Sequence, residues 1–196
     1  MKAAPLVLML MVLPLSIVKA QAPPVLRHSP EFVIKFPEGN QMLLSSLKGK
    51  VVGLLFVHTT CPHCQRTSQV FTRLTQEYGP RGFAAVDVAF NTMANIYVRD
   101  FVKDYAIGYP VGFAAPDDVL NYMGFSVMER YVVPQIVWID RQGNIRSQTP
   151  PMGDEKLLQE GYWRNMIETL LKEPAEPAKR VPTKTTTSAK RVKSSS

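Results

Sequence analysis

Cysteine is scarce in this chain, with two copies among 196 residues, and histidine occurs three times. Two cysteines close at most one disulfide, which excludes the disulfide-rich scaffolds of small secreted domains. They also exclude a four-cysteine zinc site. A metal site would therefore have to combine both cysteines with one or more of His28, His58 and His63.

Most of the chain has no net charge, although the whole sequence has a formal net charge of +7. Residues 21–173 contain 15 basic and 15 acidic side chains, and the positive excess lies in the two terminal segments. Nucleic-acid binding relies on basic side chains that neutralise phosphates. The sequence therefore predicts no nucleic-acid partner for the central region.

Long apolar runs are confined to the N-terminus. A basic start is followed by an apolar stretch over residues 3–18 and by small residues at positions 20 and 22. This order predicts a signal peptide over residues 1–20, cleaved after Ala20 or Ala22. An uncleaved membrane anchor is the alternative, although two prolines interrupt a stretch that is short for a span. We expect a periplasmic or secreted protein, in a compartment where disulfides persist.

The rest of the chain is predicted to contain one domain between two terminal segments. Residues 21–30 hold three prolines and are predicted to be a linker, and residues 31–173 have the size of a single domain. Residues 174–196 consist mostly of Pro, Lys, Thr and Ser, a composition that predicts a disordered basic tail. Such a tail is expected to be a solubilising extension without a specific role, and contact with an anionic membrane or cell-wall surface is the alternative.

The two cysteines stand in the motif Cys61-Pro62-His63-Cys64, directly after a buried-strand pattern over Val51–Val57. A C-x-x-C pair between a strand and a helix is typical of a thioredoxin-like redox centre. The N–H groups at a helix start stabilise a thiolate, and proline is well tolerated at the first helical position. We therefore predict Cys61 as the sulfur that reacts with partners and Cys64, one turn further in, as the resolving thiol.

Other uses of the pair are weaker. A structural disulfide would close so short a loop that it would stabilise the chain little. Haem attachment needs a histidine after the second cysteine, where Gln65 stands. A peroxidase and a non-catalytic interaction module that works through its tail are further possibilities. The main alternative is a protein that handles copper or zinc with Cys61, Cys64 and a histidine.

Strand and helix patterns alternate through the first half of the domain, and a hairpin and a helix close it. Asn91 is predicted to cap the helix that follows it, and Asp154 is predicted to cap the last helix. Pro134 precedes an apolar strand. The pattern predicts an α/β fold with one central mixed β-sheet flanked by helices.

With these motifs in order, the chain resembles the TlpA/ResA-like branch of periplasmic thioredoxin-fold thiol–disulfide oxidoreductases. The resemblance covers most of residues 31–172 and rests on residues 47–52, the cysteine motif and residues 133–140. It implies a thioredoxin-like sandwich with a β–α segment inserted before a cis Pro134, which packs against the cysteines. It also implies a Cys61–Cys64 disulfide and backbone hydrogen bonds from Val133 to a bound chain.

The same resemblance implies the partners and cofactors. We expect cysteine-containing extracytoplasmic proteins as substrates and a membrane or soluble redox partner that regenerates the pair. No cofactor or metal is expected. Because both cysteines are used within the pair, we expect a monomer.

The direction of exchange stays open. Pro62 and His63 match the dipeptide of the strongly oxidising DsbA branch, in which the histidine favours the thiolate of the reduced form. TlpA/ResA-like proteins are more often reductants.

One departure from thioredoxin-like enzymes concerns a buried acid. These enzymes often carry a carboxylate six residues before the first cysteine, where this chain has Leu55. Asp87, on the next predicted strand, is expected to be a hydrogen-bonded aspartate near the strand end, and a side chain that points inward near the site is the alternative.

Overall fold

The computed structural model describes residues 24–174 of the chain. The predicted signal peptide and nearly all of the predicted tail lie outside the described residues. Among residues 24–174, no helix has both the length and the apolar character needed to cross a membrane.

A mixed β-sheet lies at the centre of the fold. Its described strands are β1 (Arg27–His28), β2 (Val33–Lys35), β3 (Gln41–Leu43), β4 (Val51–Val57), β5 (Phe83–Ala89), β6 (Val111–Phe113), β7 (Gln135–Ile139) and β8 (Asn144–Gln148). Their order across the sheet is β1-β8-β7-β4-β5-β6-β2-β3. β4, β5 and β6 pair in parallel, whereas the other neighbouring strands pair antiparallel. The predicted mixed sheet is confirmed.

Helices cover both faces of this sheet. They are α1 (Pro62–Tyr78), α2 (Ala94–Asp104), α3 (Pro116–Met123) and α4 (Glu160–Leu171). One apolar cluster joins alternate residues of β4 and β5 to α1, α2 and α4, and a second joins the intervening residues to α3. Every residue of β4 is buried, as expected for a strand covered on both sides.

Phe71 lies at the centre of the larger cluster. Its ring centroid is 5.0 Å from that of Trp163 on α4 and 5.7 Å from that of Trp138 on β7. The phenyl ring of Phe83 on β5 lies 6.4 Å away. Because these aromatic contacts join α1 to α4 and to the sheet, they fix α1 and the cysteines at its start.

The predicted linker over residues 21–30 needs a correction. Arg27–His28 form strand β1, which pairs antiparallel with β8. The Arg27 guanidinium also donates to the carbonyl oxygen of Tyr122 and to the side chain of Gln148, both at 2.8 Å. This segment belongs to the domain because the edge of β8 offers it backbone hydrogen bonds.

Both predicted helix caps are wrong. α2 begins at Ala94, because the side chain of Asn91 is bound instead by the backbone N–H of Thr59. α4 begins at Glu160, because Asp154 accepts from the backbone N–H of Lys156 and starts a separate turn.

Candidate redox site at the start of helix α1

Cys61 lies at the junction between β4 and α1, as the sequence predicts. It occupies the N-cap position of α1, and Pro62 is the first helical residue. The Cys61 sulfur accepts a hydrogen bond from the backbone N–H of Cys64 at 3.4 Å. The helix start therefore directs an unpaired N–H group at this sulfur, an arrangement that stabilises a thiolate.

The two cysteines differ sharply in their access to solvent. Cys61 is partly exposed, whereas Cys64 is fully buried in the core between α1 and the sheet. Burial raises the pKa of the Cys64 thiol strongly, and the backbone of His58 opposes this rise by hydrogen bonding to the sulfur. Cys61 is accessible to a partner and Cys64 is not, in agreement with the order of reaction predicted for them.

Both cysteines are free thiols in this structure. The Cys61–Cys64 disulfide stays a prediction.

Val133 and Pro134 lie beside Cys61. The Cys61 thiol donates to the backbone carbonyl oxygen of Val133 at 3.8 Å, and the peptide bond between Val133 and Pro134 is cis, as predicted. Pro134 is buried, and Val133 packs against both apolar clusters. The fold thus brings together the two segments that the sequence singled out.

Gln135, the first residue of β7, holds the segment in front of it. Its buried side-chain amide donates to the carbonyl oxygens of Val132 at 2.8 Å and Pro151 at 3.1 Å. The backbone N–H of Val132 donates to the same Pro151 oxygen at 2.9 Å. These bonds join two loops on the side of the site opposite α1.

The remaining candidate residues are dispersed. His63 is exposed on the first turn of α1. His58 is half-buried with its ring 4.6 Å from that of Phe90, and burial lowers its pKa. The ring of His28 lies 3.2 Å from the Asn144 side chain.

The described residues form no preorganised metal site. Across residues 24–174, no three His, Cys, Asp or Glu side chains are grouped so that they could hold a metal ion. The structure therefore does not favour the copper or zinc alternative.

Asn91 is a supporting residue whose role the sequence did not reveal. Its side-chain oxygen accepts from the backbone N–H of Thr59 at 2.9 Å, and its amide donates to the Thr59 hydroxyl at 3.1 Å. The side chain of Gln65 donates to the carbonyl oxygen of Thr59 at 2.9 Å. The loop that leads to Cys61 is therefore fixed from both the β5 side and the α1 side.

Asp87 forms a buried polar cluster beneath the pair. The Ser68 hydroxyl donates to one of its carboxylate oxygens at 2.5 Å, and the Tyr109 hydroxyl donates to the other at 2.9 Å. The predicted hydrogen bonding is confirmed, but Asp87 lies inside β5 and is completely buried. Burial raises its pKa to about 7, while the two hydroxyl groups act in the opposite direction.

A family model supplies the decisive comparison. The model described as the AhpC/TSA family matches residues 25–148, which is more than half of the chain. The chain belongs to the AhpC/TSA family.

Curated relatives named as thiol–disulfide oxidoreductases match a large part of this chain. The thiol–disulfide oxidoreductase ResA of Bacillus thuringiensis (strain Al Hakam) is 26% identical over 141 residues, 71% of this chain and 77% of that protein. A ResA of Bacillus cereus is 32% identical over 119 residues, 61% of this chain and 65% of that protein. The predicted ResA-like relationship is confirmed.

Solved structures confirm the fold. A thiol:disulfide interchange protein of the thioredoxin family from Chlorobium tepidum TLS superposes with a TM-score of 0.61 at 23% identity. The match covers 78% of this chain and 99% of that one. The thioredoxin domain of a thiol-disulfide oxidoreductase from Bacteroides vulgatus gives a TM-score of 0.57 at 15% identity, over 75% of this chain and 98% of that one. The fold is thioredoxin-like.

Proposed function

We propose that this protein is a thiol–disulfide oxidoreductase that exchanges disulfides with the cysteines of other extracytoplasmic proteins. One observation carries the proposal: a partly exposed Cys61 thiol at the N-cap of α1 lies one turn from a buried Cys64 and beside the backbone of Val133. The class of enzyme agrees with the ResA relatives.

The chemistry follows from the difference between the two sulfurs. When the protein acts as a reductant, the Cys61 thiolate attacks a disulfide of the partner, and one partner sulfur leaves with the electron pair of the broken bond. Cys64 then loses its proton and attacks the Cys61 sulfur. The Cys61–Cys64 disulfide forms, the second partner sulfur is released, and two electrons have passed to the partner. Oxidation of a partner dithiol is the same sequence in reverse.

A protein substrate suits the loops that Gln135 joins, one of which leads to Val133 beside Cys61. These loops carry exposed apolar side chains, and Met128 is 89% exposed. The other exposed apolar side chains on them are Val127, Val132 and Met152. Exposed apolar groups on such loops favour contact with a polypeptide, and methionine adapts to partners of different shape.

The compartment and the partners complete the proposal. The signal-peptide pattern over residues 1–20 supports export to the periplasm or the exterior, where substrates with disulfides occur. We propose that a membrane or soluble redox partner regenerates the pair, that the protein acts as a monomer, and that its basic tail contacts an anionic membrane or cell-wall surface.

Reduction of insulin by dithiothreitol tests the proposed function. We expect the purified protein to accelerate the precipitation of the reduced insulin chains, and we expect Cys61→Ser to abolish the acceleration. Gln69→Ala is a matched control on an exposed position of α1 and should act like the wild type. A wild-type protein that leaves the uncatalysed rate unchanged would contradict the proposal.

A further inference from the structure

Asp87 faces the same side of the sheet as the resolving cysteine. It pairs in register with Leu55 of β4, which belongs to the apolar cluster that contains Cys64. Ala85 and Ala89, two residues before and after Asp87, belong to the same cluster, so strand alternation places the Asp87 side chain on this face.

Helix α1 brings Cys64 and Asp87 into one pocket. Ser68, whose hydroxyl donates to Asp87, follows Cys64 by four residues on α1 and therefore lies one turn further along the same helix face. Cys64, Ser68 and Asp87 are each 0% exposed. The thiol and the carboxylate consequently share a region from which bulk water is excluded.

The groups that face Asp87 do not neutralise its charge. Within the described part of the chain, its side-chain hydrogen-bond donors are the hydroxyls of Ser68 on α1 and Tyr109 before β6. Its neighbour on β4 is the apolar Leu55, and on α1 its charge acts on the thiol of Cys64. A buried carboxylate without a cationic partner binds a proton readily.

The charges of Asp87 and Cys64 oppose each other. A negative charge on Asp87 raises the pKa of the Cys64 thiol, so two anions in this pocket are unfavourable. Transfer of the proton from the thiol to the carboxylate keeps one negative charge in the pocket throughout. The pair therefore reaches the reactive Cys64 thiolate without the cost of a second buried charge.

We propose that Asp87 is the proton acceptor for Cys64 in disulfide exchange, an inference that rests on the proposed function of the cysteine pair. Cys64 gives its proton to the Asp87 carboxylate, directly or through one water molecule, and its thiolate attacks the Cys61 sulfur of the mixed disulfide. The Cys61–Cys64 bond forms, the bond from Cys61 to the partner sulfur breaks, and the partner leaves as a thiolate. In the reverse reaction, the protonated Asp87 returns the proton to Cys64.

The reaction of the reduced protein with DTNB isolates this step. Attack by Cys61 releases one coloured thiolate, and resolution of the resulting mixed disulfide by Cys64 releases a second one. We expect the rate of the second release in the wild type to rise with pH through about 7, as Asp87 loses its proton. In Asp87→Asn, we expect the midpoint near pH 7 to disappear, so that the rate rises steadily with pH as solvent deprotonates the thiol. We also expect the second release at neutral pH to slow about 100-fold, while the first release is unchanged.

The sign of the effect distinguishes a proton acceptor from a purely electrostatic or structural group. Loss of the negative charge by itself favours the Cys64 thiolate and would make the second release faster. A second release in Asp87→Asn that is unchanged or faster, or that keeps a midpoint near pH 7, overturns the proposal.

Two further variants keep the test valid if Asp87→Asn fails to fold. The hydroxyls of Ser68 and Tyr109 each lower the pKa of Asp87, so Ser68→Ala and Tyr109→Phe should move the midpoint of the pH profile upward. A midpoint that moves in neither variant also overturns the proposal. If the wild type shows no second release at all, the proposed function of the pair has failed, and this inference fails with it.

Discussion

The thiol of Cys61 donates a hydrogen bond to the backbone carbonyl oxygen of Val133 across 3.8 Å, although 72 positions separate the two residues in the chain. The contact arises because α1 follows β4 and Val133 precedes β7, and these two strands are hydrogen-bonded neighbours. We therefore expect a partner that reaches Cys61 to meet the backbone of Val133 as well.

Removal of the resolving thiol should trap partners on Cys61. Cys64 is fully buried, so a serine at this position cannot attack the mixed disulfide while Cys61 stays accessible. We expect Cys64→Ser to accumulate covalent protein adducts through Cys61, detected by non-reducing electrophoresis and mass spectrometry. Cys61→Ser is the matched control and should accumulate none; adducts through Cys64 would show that the two roles are reversed.

His63 should make the pair more oxidising. It lies on the first turn of α1, directly after Pro62, and the resemblance to the DsbA dipeptide implies that a histidine here favours the Cys61 thiolate of the reduced form. We expect His63→Ala to lower the reduction potential by about 30 mV, a tenfold change in the equilibrium constant with glutathione. The exposed Gln69→Ala should leave the potential unchanged, and an equal potential in both variants would remove the tuning role of His63.

Asn91 should stabilise the loop before the cysteines. Its replacement with Ala leaves the backbone N–H of the buried Thr59 without its acceptor, which should lower the free energy of unfolding by about 1–3 kcal/mol. Urea denaturation measures this loss. Asn165→Ala, at an exposed position of α4, is the control and should change it by less than about 0.5 kcal/mol. A similar loss in both variants would mean that Asn91 does not support the loop in this way.

Asp87 should make the stability of the reduced protein fall as the pH rises from about 4 to about 7. The pKa of Asp87 is about 7 in the folded protein, because of burial, and about 3.9 in an unfolded chain. Between these values the folded state holds a proton that the unfolded state has lost, which amounts to on the order of 4 kcal/mol across the range and levels off above it.

Asp87→Asn isolates this contribution. Carboxylates with lowered pKa values, such as those of Glu77 and Glu168, act in the opposite direction in both proteins and cancel in the comparison. Urea denaturation at several pH values should show that the variant gains stability relative to the wild type as the pH rises toward 7. A constant difference would contradict the raised pKa of Asp87.

The fold could be predicted well where local patterns decide it. β4 has the predicted bounds and α1 begins at the predicted proline, because an uninterrupted apolar run and a proline at the first helical position leave few alternatives. β1 was missed because its two residues depend on the edge of β8, a contact that leaves no periodic signal. The cap at Asn91 was misassigned because a distant loop binds its side chain.

The residues of the site also differ in how well the sequence predicts them. Cys61 and Cys64 stand in one short motif, and Val133 and Pro134 were found through the resemblance. The cluster of Asp87, Ser68 and Tyr109 joins β5, α1 and the segment before β6, and its members are far apart in sequence. One partial signal was available, since Ser68 follows Cys64 at the spacing of one helical turn.

The most direct test of the central claim is to equilibrate the purified protein with glutathione buffers of graded ratio and count its free thiols by alkylation and mass spectrometry. We predict a single two-electron transition between a dithiol and an intramolecular Cys61–Cys64 disulfide. A reduction potential of about −120 mV at the midpoint would indicate a strong oxidant. A potential of about −270 mV or below would indicate a reductant. A protein that keeps two free thiols, or that forms only glutathione adducts, across the whole range would contradict disulfide exchange through this pair.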